Sequence, residues 1–411
     1  MHHLNIIEKG TGHPNQLLVN GWDILAQQVS FPAAIIYQSK IKTNAKWMQE
    51  FANTNQVKLA PHGKTTMSPQ LFKIQLDCGA WGISVATAVQ AQTAYQAGAK
   101  HIILANQLVG NFNLDIISRI LKCGDCKIYC FVDSIDNAKQ LDLFFEAKNQ
   151  HLNLFIEVGI QGGRCGCRSE SQVIMLAQWI ASSHVLRLRG LAFYEGVIHS
   201  SDTENTIKEW VTSIANLALT MKQQSLFYGD KIILTGAGSA WYDIVVKALN
   251  ESDANKSIQS IIRPGCYLIH DTGIYQDAQN AVLARSKKAN DIEETLESSL
   301  EIWAIVLSAP EPGLVIIGMG KRDVAFDAGL PTPRLFYRKN MAAPQMANKT
   351  WKLVEIMDQH CMMRVPLETT LIPGDLISFS TSHPCLTMDK WRHIGICNDH
   401  FVIVSQIDTY F

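Results

Sequence analysis

Several things are missing from this 411-residue chain, and each absence narrows its function. No apolar stretch approaches the ~20 residues that a membrane-spanning helix needs. No block of one charge sign exists: the formal net charge is −1, which gives no support for nucleic acid or a membrane surface as partner. Met1–Gly10 mixes His, Asn, Glu and Lys, so it does not read as a secretory leader. No internal repeat or low-complexity segment is present. Ten cysteines follow no regular framework, which in a chain of this length implies reduced thiols and a cytoplasmic setting. Cys123 and Cys126 lack the second pair of a zinc ribbon and read as ordinary helix-end and strand residues. Cys165 and Cys167 flank a glycine and read as packing residues.

What is present is the composition of a soluble globular enzyme, 47% hydrophobic and 18% charged, long enough for about two domains. Short apolar runs recur: Val57–Pro61, Gly82–Ala86, His101–Asn106, Lys127–Asp133, Leu152–Val158, Leu188–Tyr194, Lys231–Thr235 and Ile261–Ile262. They are rich in Ile, Val, Leu or Phe and bounded by Gly, Pro, Asn or Asp, as buried parallel strands are. Helix-like segments separate several of them, among them Ala86–Ala97, Asn113–Leu121, Asp136–Glu146, Ser171–Ile180 and Glu204–Met221. Such alternation predicts a (β/α)8 TIM-like barrel, with active-site groups just after the strands. Those positions hold His62 and Lys64, Ser84, Asn106, Asp133, Arg164, Tyr194 with His199, the Thr235–Ser239 loop and Arg263–Tyr267. Ala33–Tyr37 predicts a further strand, followed by a helix to about Thr54. Beyond residue 275, Arg285–Glu301 reads as a charged loop or helix. Period-two strands then follow at Glu301–Ser308, Leu314–Ile317, Trp351–Ile356, Asp375–Ser380 and His400–Ile407, punctuated by prolines. The expected division is a barrel over 36–275 and an antiparallel β domain formed by 1–35 and 276–411.

Two motifs carry chemistry. In Pro61-His62-Gly63-Lys64-Thr65 a lysine follows a buried strand. At a barrel mouth, partly dehydrated and near other cations, it would supply the free amine that imine formation needs. On the motif alone, a surface loop lysine is an equal reading. In Ser382-His383-Pro384-Cys385, His383 and Cys385 are two residues apart and would share one side of an extended strand. Imidazole and thiolate suit zinc, but two protein ligands are too few for a structural site.

The lysine segment resembles the cofactor-lysine motif of fold-type III pyridoxal-phosphate enzymes, in the D-serine dehydratase and D-threonine aldolase branch, with alanine racemase a more distant relative. The resemblance runs in blocks from about residue 30 to 405. It departs at Lys64-Thr65-Thr66-Met67, where the family's usual histidine after Lys-Thr is replaced. That pattern, with Gly79-Ala80-Trp81-Gly82, looks like bacterial amino-acid deaminase-like proteins. The resemblance implies an alanine racemase N-terminal-like barrel with pyridoxal 5′-phosphate on Lys64, and His62 among its contacts. Thr235, Gly236 and Ser239 would hold the phosphate with Gly265 and Cys266, whose turn continues into Tyr267; Arg164 would face the phenolic oxygen and Tyr194 the ring. Asp133 and His199 also fall at family-like positions.

The carboxyl-terminal block resembles the zinc motif of D-serine dehydratase, so His383 and Cys385 would bind Zn2+, with Asp389 and His393 in supporting roles. The implied reaction is β-elimination from a D-3-hydroxyamino acid, D-serine first, giving a 2-oxo acid and ammonia. Alternatives are a D-threonine-type aldolase and a non-catalytic pyridoxal-phosphate carrier. The fold type also implies a homodimer acting on a small amino-acid substrate.

Overall fold

The structure is a computed structural model that describes residues 7–252 and 258–411. Its residues divide into two units. One comprises Met48–Gly265 and Ala281–Glu293; the other comprises Met1–Trp47, Cys266–Asn280 and Glu294–Phe411.

The first unit is built on eight parallel strands. They are β1 (Lys58–Leu59), β2 (Ile83–Val85), β3 (His101–Gln107), β4 (Lys127–Val132), β5 (Leu152–Val158), β6 (Leu186–Phe193), β7 (Ile232–Gly236) and β8 (Ile258–Ile262). Each pairs with its sequence neighbour from β2 to β8, and β8 pairs with β1. The ring closes because the chain after β1 meets β2: Ser84 N–H donates to Pro61 O at 2.9 Å, and His62 bridges Ser84 in parallel. The expected barrel is therefore present, with every strand found where apolar runs stood in the sequence.

Helices fill the crossovers as expected, at Ala88–Gln96, Asn111–Cys123, Ile135–Ala147, Glu170–Ala181 and Thr203–Gln223. Four start at side-chain caps: Thr87, Ser134, Ser169 and Asp202 accept from the N–H groups of Gln90, Asn137, Gln172 and Asn205. Each such cap stabilises its helix by about 1 kcal/mol and fixes where the chain leaves the strand. Gly124, at φ 76°, ends the Asn111–Cys123 helix in the left-handed conformation that glycine adopts without strain.

The barrel interior is closed by side chains. Ala60, Ile103, Tyr129, Phe131, Phe155, Ala192, Ile233 and Ile261 form one buried cluster, one or two from nearly every strand. Tyr129 stacks on Phe155 with ring centroids 5.1 Å apart, and Trp81 on His101 at 4.0 Å. A ligand can therefore occupy only the mouth of this barrel.

The second unit is a mostly antiparallel sheet. Ala33–Tyr37, entirely buried, lies between Leu300–Glu311 and His393–Cys397 and pairs with the latter in parallel. Ala33–Tyr37 thus takes both of its neighbouring strands from segments more than 260 residues later. Thr332–Tyr337, Cys361–Arg364 and His393–Cys397 are strands that the sequence reading missed. Within Arg285–Glu301, read as a charged loop or helix, a short helix forms at Lys287–Asn290, preceded by a longer one at Ile274–Arg285. Among the described residues no helix is long and apolar enough to cross a membrane.

Candidate active site

Side chains alternate along a strand, so the residue two beyond an interior one points the same way. Beyond Ala60, Phe131, Phe155, Ala192, Ile233 and Ile261 of the interior cluster stand His62, Asp133, Glu157, Tyr194, Thr235 and Arg263. The apolar fill thus gives way, in one step on six strands, to a polar ring. Its members are coupled. Gln107 Nε2 donates to Glu157 at 2.6 Å. Arg263, 6% exposed, donates to Thr235 Oγ1 at 2.7 Å and to Phe193 O at 2.9 Å, and lies over the Phe131 ring.

Charge is concentrated here. Burial pushes the Arg263 guanidinium down to about 10, although Glu195 and Glu157 work the other way. It stays positive at neutral pH. Burial, then the positive charges of Lys64, Arg263 and Arg164, hold the His62 imidazole well below its ordinary range. His62 is therefore neutral, and its Nδ1 accepts the Lys64 N–H at 3.4 Å. Three cations bearing on one neutral ring make a site for a polyanion, and a phosphate-bearing aldehyde fits that donor set. Burial raises the Glu157 and Glu195 carboxyls.

The placement of the expected residues is uneven. Lys64 lies in the one-turn helix Gly63–Thr65 and is exposed rather than partly dehydrated. Arg164 lies over the Tyr194 ring at 4.9 Å, so these two expected neighbours do meet. His199 is exposed. Asp133 accepts from Gly166 N–H at 2.8 Å and, with Arg164, borders a cavity of about 460 Å³. Cys165 is exposed, not packed, and offers its sulfur within 4.8 Å of ligand atoms of Asp133 and Glu157.

The glycine-rich turn is held from within. Ala237 and Gly238 donate their N–H groups to the Glu195 carboxylate, at 3.1 and 2.6 Å. Thr235 spends its hydroxyl on Arg263, and Ser239 Oγ accepts from Gly265 N–H at 3.3 Å. A Cβ on Gly236 would fall 2.1 Å from the Phe193 ring, and one on Gly265 would fall 2.6 Å from His62 O. Both glycines are thus required by packing against neighbouring strands. Glu157, Glu195 and Gln107 were not singled out from the sequence. The signal that would have found Glu157 was the alternation running one step past the apolar strand.

In the second unit, Cys266 and Tyr267 are buried in the one-turn helix Cys266–Leu268. His383 and Cys385 do not lie on an extended strand as expected. Pro384 sits in helical conformation at φ −58°, ψ −44° and starts the short helix Cys385–Met388. The two side chains still meet, because the His383 ring hydrogen-bonds Cys385. Asp327, which the sequence did not mark, accepts from or shares a proton with His383 Nδ1 at 2.7 Å. A carboxylate on one side of an imidazole and a sulfur on the other is the arrangement that orients a metal-binding histidine, so these residues fit a soft divalent ion. His393 is unsuited to that role, since its two ring nitrogens pair with Glu8 and Asp408 at 2.8 and 2.7 Å.

Comparison with known proteins places these features in context. Residues 36–242 match the family described as alanine racemase, N-terminal domain, and residues 299–397 match the putative serine dehydratase domain. The chain is 26% identical over 307 residues to the D-threonine aldolase of an Arthrobacter species, covering 74% of this chain and 75% of that one. Its fold is that of the D-threonine aldolase of Filomicrobium marinum, with TM-score 0.76 at 18% identity over 95% of this chain and 97% of that one. The D-threo-3-hydroxyaspartate dehydratase of Delftia sp. HT23 is similar at TM-score 0.74 and 17% identity, covering 95% and 99%.

Proposed function

We propose, since this chain belongs to the alanine racemase N-terminal domain family and so to the fold-type III pyridoxal-phosphate enzymes, that it is a lyase for D-3-hydroxyamino acids. The reaction we assign is β-elimination, with D-serine the first substrate to try. The observation that carries the reading is the polar ring at the barrel mouth, where His62 accepts from the main-chain N–H of Lys64, Arg263 is held on Thr235 and Arg164 lies over Tyr194.

Bound pyridoxal phosphate supplies the electron sink for a carbanion at Cα. The rest is work for the chain's own groups. Lys64 Nζ would hold the cofactor, and its free amine would serve as the base for the α-proton. Arg164 and Arg263 place positive charge at the mouth, where they would meet an anionic cofactor and substrate carboxylate. His62, Thr235, Gly236, Ser239, Gly265, Cys266 and Tyr267 are assigned to positioning the cofactor, with Tyr194 beside its ring. Glu195 fixes the Ala237–Gly238 turn by accepting both N–H groups. His383 and Cys385 would hold a zinc ion, which would supply Lewis acidity suited to hydroxide, a poor leaving group. Asp327 holds the His383 ring for that ion. Water leaves across Cα–Cβ and one water returns on hydrolysis, so D-serine becomes pyruvate and ammonia.

The test is product analysis with D-serine and D-threonine. Elimination predicts pyruvate and 2-oxobutanoate with equimolar ammonia. Glycine plus acetaldehyde from D-threonine, with no 2-oxo acid, would make the chain an aldolase instead. Lys64→Ala should yield colourless protein that borohydride cannot label.

A further inference from the structure

The chemistry assigned to His383 and Cys385 leaves them short of ligands. Two side chains hold zinc weakly, whereas catalytic zinc sites carry three protein ligands and one open position. The same unit offers another sulfur. Cys266, 4% exposed, stands 119 residues before Cys385, and its Sγ lies 3.5 Å from Cys385 Sγ. Two thiolates on one tetrahedral zinc, each about 2.3 Å from the metal, sit about 3.8 Å apart. The two sulfurs are therefore spaced close to one edge of a zinc coordination tetrahedron.

We propose that Cys266 is a third protein ligand of the metal, making the site one histidine and two cysteines with one position left for substrate or water. The proposal rests on the reading that His383 and Cys385 bind metal. The sulfur of Cys266 is held in place by its backbone. His270 N–H donates to Cys266 O at 2.7 Å, Asn44 Nδ2 donates to Leu268 O at 3.0 Å, and Ser299 N–H to Ile269 O at 2.8 Å. The turn that carries Cys266 is thus closed on itself and tied to two separate segments. On the far side, Cys385 is hydrogen-bonded to His383, and His383 to Asp327. Cys266, Cys385 and His383 form a run of soft donors backed by a carboxylate, which a bound ion would draw together by side-chain rotation. A second thiolate selects zinc over harder ions such as magnesium or manganese and tightens retention.

Two measurements on the full-length protein test this. X-ray absorption of the zinc-loaded wild type counts sulfur ligands directly, with two expected. The chelator-stripped protein is then titrated with cobalt(II), whose thiolate charge-transfer band scales with the number of bound sulfurs. Cys266→Ser should about halve that band and weaken zinc retention against a chelator by at least the roughly 10-fold to 100-fold that loss of a group supporting a metal ligand costs. Cys266→Ala, checked for folding by circular dichroism, should do the same. One sulfur in the wild type, or a full band in Cys266→Ser while Cys385→Ser and His383→Ala lose theirs, would leave Cys266 as a packing contact only and overturn the proposal. No cobalt band in any of these proteins would instead overturn the His383–Cys385 reading.

Discussion

Gly236→Ala separates two explanations of one residue. A glycine in the turn after a barrel strand suggests a backbone that must come close to phosphate. The structure gives another cause. A Cβ there would lie 2.1, 2.5 and 2.6 Å from three atoms of the Phe193 ring, far inside contact distance. Phe193 is fully buried, and its ring is met edge-to-face by Trp210, with centroids 5.7 Å apart. The ring has little room to retreat, so the methyl must be accommodated by strain. Overpacking of this kind costs about 1–3 kcal/mol. At about 2–4 °C per kcal/mol for a domain of this size, melting should fall by about 2–12 °C even without cofactor. The assay is a thermal melt with and without added pyridoxal phosphate, followed by a double-mutant cycle with Phe193→Leu. Shrinking the ring should relieve the methyl, so the pair should be less destabilised than the sum of the singles by about 1 kcal/mol or more. An unchanged cofactor-free melting temperature, or strict additivity, would refute the packing argument and return Gly236 to the phosphate.

Two further outcomes are expected. Burial holds the His270 imidazole down at about 4, below the ordinary value near 6.5 that the unfolded chain recovers. The unfolded state therefore binds the extra proton first, and stability present above pH 6.5 is lost as pH falls toward 4, by up to about 1.4 kcal/mol per pH unit. His270→Gln should flatten that part of a plot of urea midpoint against pH; an unaltered slope would show that another group is responsible. Separately, diamide should convert Cys266 and Cys385 of metal-stripped protein to a disulfide. The two thiols give up two protons and two electrons to the diazene, and the sulfurs close from 3.5 Å to about 2.05 Å. Peptide mass mapping should find the cross-link and zinc should suppress it; no cross-link under either condition would place the sulfurs further apart than described.

Much was legible in the sequence because it depends on near neighbours in the chain. Apolar runs, all but the two-residue Ile261–Ile262 five to seven residues long, alternate with helical segments and make strands and crossovers by local geometry, which is why all eight barrel strands fell where the runs stood. Lys64 and the His383–Cys385 pair stood out for the same reason, as unusual residue types at short spacing after apolar segments. The antiparallel unit was less legible. Cys361–Arg364 and Thr332–Tyr337 are short and half-exposed, with weak alternation of their own, and they become strands only through partners elsewhere.

What the sequence alone determined, then, was the barrel, the lysine after its first strand and the residue types available for chemistry. Only the tertiary structure decided how they combine. It turned a strand-bound His383–Cys385 pair into a turn and a helix start, because Pro384 adopts helical angles. It gave the Ala237 and Gly238 amides to Glu195, some forty residues earlier in the chain. It also set Cys266 beside Cys385. Strand and helix periods are written in adjacent residues, whereas a side chain's partner is chosen by where distant segments come to rest, and no local pattern encodes that distance.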